Sequence, residues 1–136
     1  MIGFDLDGVL LPDFDYLEDY PEQTDFYNML INVRALFQPN IPYTIITARD
    51  PKYRRLTSLW ATKQLNKQPK DLIQSKYHSE TPAEYKARIL NLMPHIKQYI
   101  ESDPVIVKEM KPLVKWCEVI YFNDYINSSL LKTYQE

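Results

Sequence analysis

Short apolar runs alternate along this chain with longer stretches in which apolar residues return every three or four positions. The short runs read as buried strands and the longer stretches as amphipathic helices. Ile2-Gly3-Phe4 forms the first run and leads into Asp5-Leu6-Asp7-Gly8-Val9-Leu10. Tyr27, Leu30, Ile31 and Phe37 then recur at helical spacing, with Pro39 and Pro42 ending that helix. Tyr43-Thr44-Ile45-Ile46 is a compact strand closing at Thr47-Ala48-Arg49. Asp50-Pro51 reads as an N-cap with proline in the first turn of a helix that carries Tyr53, Leu56 and Trp60 on one face. A shorter strand is expected around Leu72-Ile73, and Thr81-Pro82-Ala83-Glu84 is a capping box that opens the next helix. Ile96 to Ile100 reads as a strand, and Glu101-Ser102-Asp103-Pro104 as its exit into a helix with Ile106, Met110, Leu113 and Val114. Pro112 should kink or divide that helix. Val119-Ile120-Tyr121-Phe122 is the last strand, ending at Asn123-Asp124.

Strands and helices in strict alternation argue for an α/β layer fold. The expected architecture is a three-layer, Rossmann-like, doubly wound and mainly parallel sheet of five strands. At 136 residues the chain suits one domain, and no repeat, low-complexity tract or linker divides it. With 45% hydrophobic and 25% charged residues it is of ordinary globular composition. No apolar run approaches the roughly 20 residues that span a bilayer, and no basic-then-apolar leader precedes the first strand. No membrane partner and a cytoplasmic location are therefore expected.

Cys117, His78 and His95 supply neither a disulfide framework nor a Cys/His zinc site. Cys117 stands before an apolar strand, where a core or boundary thiol is expected. Charge is unevenly spread. Residues 1 to 33 contain no Lys or Arg, while Asp13, Asp15, Glu18, Asp19, Glu22 and Asp25 crowd the segment after the first strand. From Pro51 to Lys76 the balance reverses, with Lys52, Arg54, Arg55, Lys63, Lys67, Lys70 and Lys76 against Asp71. Such a run is either a solvated helix face or an attractor of phosphate.

The chemistry-bearing residues sit where strands end. Asp5 and Asp7 lie two apart and therefore share a side of the chain as it leaves the strand, and Gly8 permits a turn that could offer peptide N–H groups to an anion. A bare D-x-D is also compatible with solvated turn carboxylates or with the metal-binding pair of a glycosyltransferase. Thr47 is a candidate phosphate hydroxyl or simply a turn cap. Lys86, in the early turns of the capping-box helix, is a candidate cation for an active site or a surface lysine, with Arg88 as its competitor. Asp103 is a candidate metal ligand and equally a good N-cap before Pro104.

Taken in order, the string F-D-L-D-G-V-L, Thr47, Lys86 and the Glu101-Ser102-Asp103 exit resemble the four motifs of the haloacid dehalogenase superfamily, over nearly the whole chain. The resemblance implies a small phosphatase domain over residues 1–136 without a separate cap. It implies Asp5 as nucleophile, Asp7 as general acid and base, and Thr47, Ala48 and Lys86 as the phosphate-binding set. It implies Mg²⁺ held by Asp5, the backbone carbonyl of Asp7 and Asp103, with Glu101 as the second acidic candidate. The fourth motif departs from the family, since Ser102 stands where a first Asp is common. Thr47-Ala48-Arg49 with Thr57 and Trp60 resembles deoxyribonucleotidases and polynucleotide 3'-phosphatases. Arg49 is then a buried structural cation or a substrate contact, and Trp60 a core residue.

The expected activity is magnesium-dependent hydrolysis of a phosphomonoester through an aspartyl phosphate. A small phosphorylated molecule or nucleotide ranks above a nucleic-acid end, because the acidic segment repels a polyanion that the basic helix attracts. The alternative from another class is a non-catalytic binding module on the same fold.

Overall fold

The computed structural model describes residues 1–13 and 23–135. Asp15, Glu18, Asp19 and Glu22 of the acidic segment lie outside the described residues. Five strands, β1 (Ile2–Phe4), β2 (Tyr43–Ile46), β3 (Asp71–Ile73), β4 (Gln98–Glu101) and β5 (Glu118–Tyr121), form one sheet in the order β3-β2-β1-β4-β5. Every neighbouring pair is parallel. The helices are α1 (Gln23–Leu30), α2 (Arg54–Gln64), α3 (Pro82–Leu92), α4 (Pro104–Met110) and α5 (Phe122–Gln135).

Alternation along the strands sends side chains to two separate cores. Ile2, Phe4, Tyr43, Ile45 and Ile100 pack with Phe26, Tyr27 and Leu30 of α1 and Trp60 and Ala61 of α2, with Tyr125 of α5 against the same cluster. Ile46, Tyr99 and Val119 on the opposite face pack with Tyr85, Ile89 and Leu90 of α3 and Val107 and Met110 of α4. Helices thus cover both faces, as a buried parallel sheet requires. The expected α/β class and doubly wound, five-stranded parallel sheet are present. No helix among the described residues is long and apolar enough to cross a membrane.

Local signals placed several boundaries well. Thr81 and Glu84 form the reciprocal capping box, Asp103 caps α4 through the Val105 amide, and Trp60 is buried. The first helix was expected to run on to Phe37, but it ends at Leu30. Phe37 nevertheless reaches the core from the following loop, meeting Phe4, Phe122 and Tyr125 edge to face. Asp50 caps a single 3₁₀ turn, Pro51–Tyr53, before α2 begins at Arg54. The chain leaves α4 at Met110, so Leu113 and Val114 lie beyond it and Pro112 falls in a turn. β4 is displaced toward Glu101, and Phe122 opens a C-terminal helix instead of closing β5. Cys117 is half-buried, and burial lifts its thiol to about 11.

β1 is the middle strand, and the chain moves to β2 and β3 on one side before returning to β4 and β5 on the other. Such a reversal leaves a crevice at the carboxyl ends of the central strands. Asp5 follows β1, Thr47 follows β2, and Glu101 closes β4. The topology therefore gathers residues that are about 40 to 100 positions apart.

Candidate active site

Asp5, Asp7, Thr47, Ala48, Arg49, Lys86, Glu101, Ser102 and Asp103 all line one cavity of about 300 Å³, with Asp13 at its rim. The nine residues singled out from motifs in the sequence include Ser102, and all nine meet here. Asp5 is buried. Its Oδ1 accepts from the Leu6 amide at 2.9 Å and from Lys86 Nζ at 3.2 Å, and its Oδ2 accepts from Ser102 Oγ at 3.0 Å.

Lys86 leaves α3 on the face that packs on the sheet, which explains why a lysine in the middle of an apolar helix is buried. Its ammonium bridges Asp5 and Glu101, the latter at 2.5 Å. Arg88 points elsewhere, to Glu80. Glu101 is in turn held by the Asp103 amide at 3.1 Å, and the Tyr99 hydroxyl lies within reach of both Glu101, at 3.4 Å, and the Ile46 carbonyl, at 3.3 Å. Two buried carboxylates therefore share one ammonium. Burial pushes the Asp5 carboxyl up to about 7, with Lys86 opposing the rise and Glu101 adding to it. Burial also acts to lower Lys86, but Asp5 and Glu101 outweigh it and lift the amine to about 12. Burial is thus the main cause of the first shift, and the two carboxylates are the cause of the second. Burial and the carboxylates of Asp7, Asp5 and Asp103 raise Asp13 at the rim as well.

Asp7 is gripped by Arg49 through a two-pronged ion pair, Nε to Oδ2 at 2.9 Å and Nη2 to Oδ1 at 2.7 Å. Arg49 is itself immobilised, since Nη1 donates to Thr57 Oγ1 at 3.2 Å and the guanidinium lies 4.6 Å from the centre of the Tyr27 ring. It is thus both buried and part of the site, by way of Asp7. The Thr47 hydroxyl accepts from the Arg49 amide at 3.3 Å, so it caps the turn while facing the cavity.

The loop after β1 differs from expectation. The Gly8 amide donates to the Leu11 carbonyl, and the amides of Val9, Leu10 and Leu11 all donate to the Leu6 carbonyl. These N–H groups are spent inside the loop and make no anion cradle. Gly8 serves another purpose. Its φ is +86°, and a Cβ there would fall 2.7 Å from Ser102 Cβ and 2.8 Å from Ser102 Oγ. The bare glycine lets the Ser102 hydroxyl reach the Asp7 carbonyl at 2.9 Å. Gly8→Ala combines a strained backbone with a collision between the new Cβ and the Ser102 side chain, and we expect it to cost at least about 2 kcal/mol in urea unfolding. A loss below about 0.5 kcal/mol would show that the loop relaxes away from Ser102.

Among the described residues no trio of His, Cys, Asp or Glu is arranged to hold a metal ion. Magnesium asks for less, one or two carboxylates with other oxygens and water. Ser102 Oγ approaches Asp5 Oδ2, the Asp7 carbonyl and, at 3.4 Å, Glu101 Oε2, although a hydroxyl has a single hydrogen to donate. An all-oxygen set with surplus negative charge fits a hard cation. Asp103 stands slightly apart, with its Oδ1 accepting from the Val105 amide at 2.8 Å. Comparison of the chain with protein-family models, curated proteins and solved structures finds no match. The site must be read from its own geometry.

Proposed function

We propose that this chain is a magnesium-dependent phosphomonoester hydrolase of the haloacid dehalogenase type, acting on a small phosphorylated molecule or nucleotide. The observation that carries the reading is the meeting of Asp5, Asp7, Thr47 and Lys86, from the ends of two strands and one helix, in a single cavity. A carboxylate nucleophile, a second carboxylate within the same cavity and an ammonium pointed at the first are the parts that phosphoryl transfer through an acyl phosphate needs.

In this reading Asp5 attacks phosphorus and the ester oxygen leaves. The Leu6 amide and Lys86 fix the nucleophile from one side, and Ser102 fixes it from the other. Asp7, in its acid form, gives a proton to the departing oxygen and later takes one from the water that attacks the aspartyl phosphate, releasing inorganic phosphate and restoring Asp5. The Arg49 fork fixes the orientation of Asp7 while it is ionised, and one of its two bonds must open when Asp7 carries the proton. Thr47 and Lys86 are the donors facing the transferring group. Mg²⁺ would be held by Asp5, the Asp7 carbonyl and Ser102, with Asp103 through water, and would neutralise phosphoryl oxygens.

Hydrolysis of an aryl phosphate tests the activity. Turnover that requires magnesium and stops on chelation is expected, and absence of turnover with magnesium in excess would reject it. The same assay sorts the fourth-motif residues. Ser102→Ala should raise the magnesium concentration needed for half-maximal activity more than Asp103→Asn does, because Asn retains the helix cap and Ser102 meets Asp5 and the Asp7 carbonyl. The reverse ranking would return the main ligand role to Asp103.

A further inference from the structure

Between β3 and α3 the chain forms a strap that is tied down along its inner side. Arg88 holds Glu80 with two bonds of 2.7 and 2.8 Å and reaches the Ser75 carbonyl at 3.4 Å. Its guanidinium lies 4.5 Å from the Tyr77 ring centre and 5.6 Å from that of Tyr85. The Tyr85 hydroxyl accepts from the Ser75 amide and donates to the Ile73 carbonyl. Glu80 accepts from the Tyr77 amide, and the Arg88 bonds hold its carboxyl down at about 2. That many anchors on six residues fix the strap's shape, which packing alone on an exposed loop does not do.

The strap presents Lys76 and His78 to a hollow of about 120 Å³, completed by Asp50, Pro51 and Ala48. Ala48 also lines the catalytic cavity, so the two spaces adjoin across the residue that follows Thr47. Lys76 Nζ spends one hydrogen on the Tyr77 carbonyl at 3.1 Å and has others for a ligand. One carboxylate oxygen of Asp50 is already occupied by the Lys52 amide, and Lys52 brings a further positive charge to the same turn.

We propose that this hollow is a second anion subsite, taking a phosphate carried by the alcohol that leaves, so that the preferred substrate is bisphosphorylated. The proposal rests on the phosphatase reading above. A phosphoryl group seated at Asp5, Thr47 and Lys86 would pass its ester substituent over Ala48 toward Lys76 and His78. The Lys76 ammonium and the His78 ring on a backbone already fixed in shape can meet an anion at a reduced ordering cost. The second phosphate can come from a free nucleoside bisphosphate or from the next linkage of a nucleic-acid end. Asp13 at the cavity rim disfavours the longer polyanion.

The test compares kcat/KM for adenosine 3',5'-bisphosphate, the 3'- and 5'-monophosphates and a 5'-phosphorylated oligonucleotide, in the natural protein and in a Lys76→Ala, His78→Ala double variant. The bisphosphate should exceed both monophosphates by at least about tenfold, and the variant should remove that advantage while leaving aryl phosphate turnover unchanged. Equal rates for bisphosphate and monophosphates, or an equal loss on aryl phosphate, would overturn the subsite. An oligonucleotide that matches the bisphosphate and loses as much in the variant would identify a nucleic-acid end as the source. If the natural protein hydrolyses no aryl phosphate, the phosphatase reading fails, and titration with the bisphosphate followed by NMR decides the subsite alone. Shifts at the Lys76 amide that vanish in His78→Ala, and at the His78 ring that vanish in Lys76→Ala, support it, and their absence in the natural protein or persistence in these variants overturns it.

Discussion

Asp5→Asn is expected to lower kcat by at least about 10³-fold, roughly 4 kcal/mol of barrier, while leaving the fold intact. An amide in place of the carboxylate cannot form the acyl phosphate, and the neighbouring groups then have no nucleophile to position. Stability should move the other way. The Asp5 carboxyl is pushed from 3.8 to about 7, with burial as the largest cause. A carboxyl raised on folding contributes stability that is fully present below its unfolded value and is lost as pH rises through the folded one. In magnesium-free protein at pH 8, Asp5→Asn should therefore melt at a higher temperature than the natural chain. The gap should close as pH falls from about 7 toward about 4. Near-unchanged turnover would remove Asp5 from the nucleophile's role, and a variant less stable at pH 8 would mean that Lys86 more than offsets the burial of Asp5.

Lys86→Met is expected to have the largest effect on folding. The substitution fits the space of the aliphatic stem but removes the single ammonium shared by Asp5 and Glu101. Two buried carboxylates are then left facing each other, and breaking a buried ion pair in this way typically costs about 3 to 5 kcal/mol. That is a large share of the roughly 5 to 15 kcal/mol available to a domain. Protonation of the carboxylates relieves the repulsion, so the loss should be greatest above pH 7 and shrink toward pH 5. Urea unfolding at the two pH values measures it. A loss under about 1 kcal/mol at pH 8 would show that water enters the site and screens the pair.

How much of this was legible in the sequence depended on distance along the chain. The Thr81 capping box, the Asp103 cap and the apolar runs of β1 and β2 are decided within a few residues, and they stand where local chemistry puts them. Phe37 kept the helical spacing without the helix. Burial against Phe4 and Tyr125 satisfies an apolar residue equally well from a loop, and spacing cannot tell the two apart. Phe122 misled for a similar reason, since an apolar residue that continues a strand's pattern can also start the next helix against the same core.

The site divides along the same line. Asp5, Asp7, Thr47 and Lys86 could be picked out by their places after strands and caps. Which side chains they pair with could not. The Arg49 fork on Asp7 spans 42 positions and the contact of Ser102 with Asp5 spans 97, distances closed only by the order of the parallel strands. Ser102 carried a signal in the sequence, as the residue standing where an acid is common, but the reason for it lies in Gly8, whose missing Cβ makes the space. The glycine alone suggests an anion cradle at this turn, but four loop amides turn inward instead. Arg88, a competitor of Lys86 on sequence grounds, faces the strap because two positions along a helix point to different sides.

Asp5 is expected to carry the phosphoryl group during turnover. This is tested most directly by acid-quenching the protein while it hydrolyses an aryl phosphate with magnesium, reducing any acyl phosphate with borohydride, and mapping the peptides by mass spectrometry. Homoserine is expected at position 5, absent when substrate is omitted and absent in Asp5→Asn. Hydrolysis that proceeds with no modification at position 5, or with the reduced residue at position 7 or 101, would contradict it.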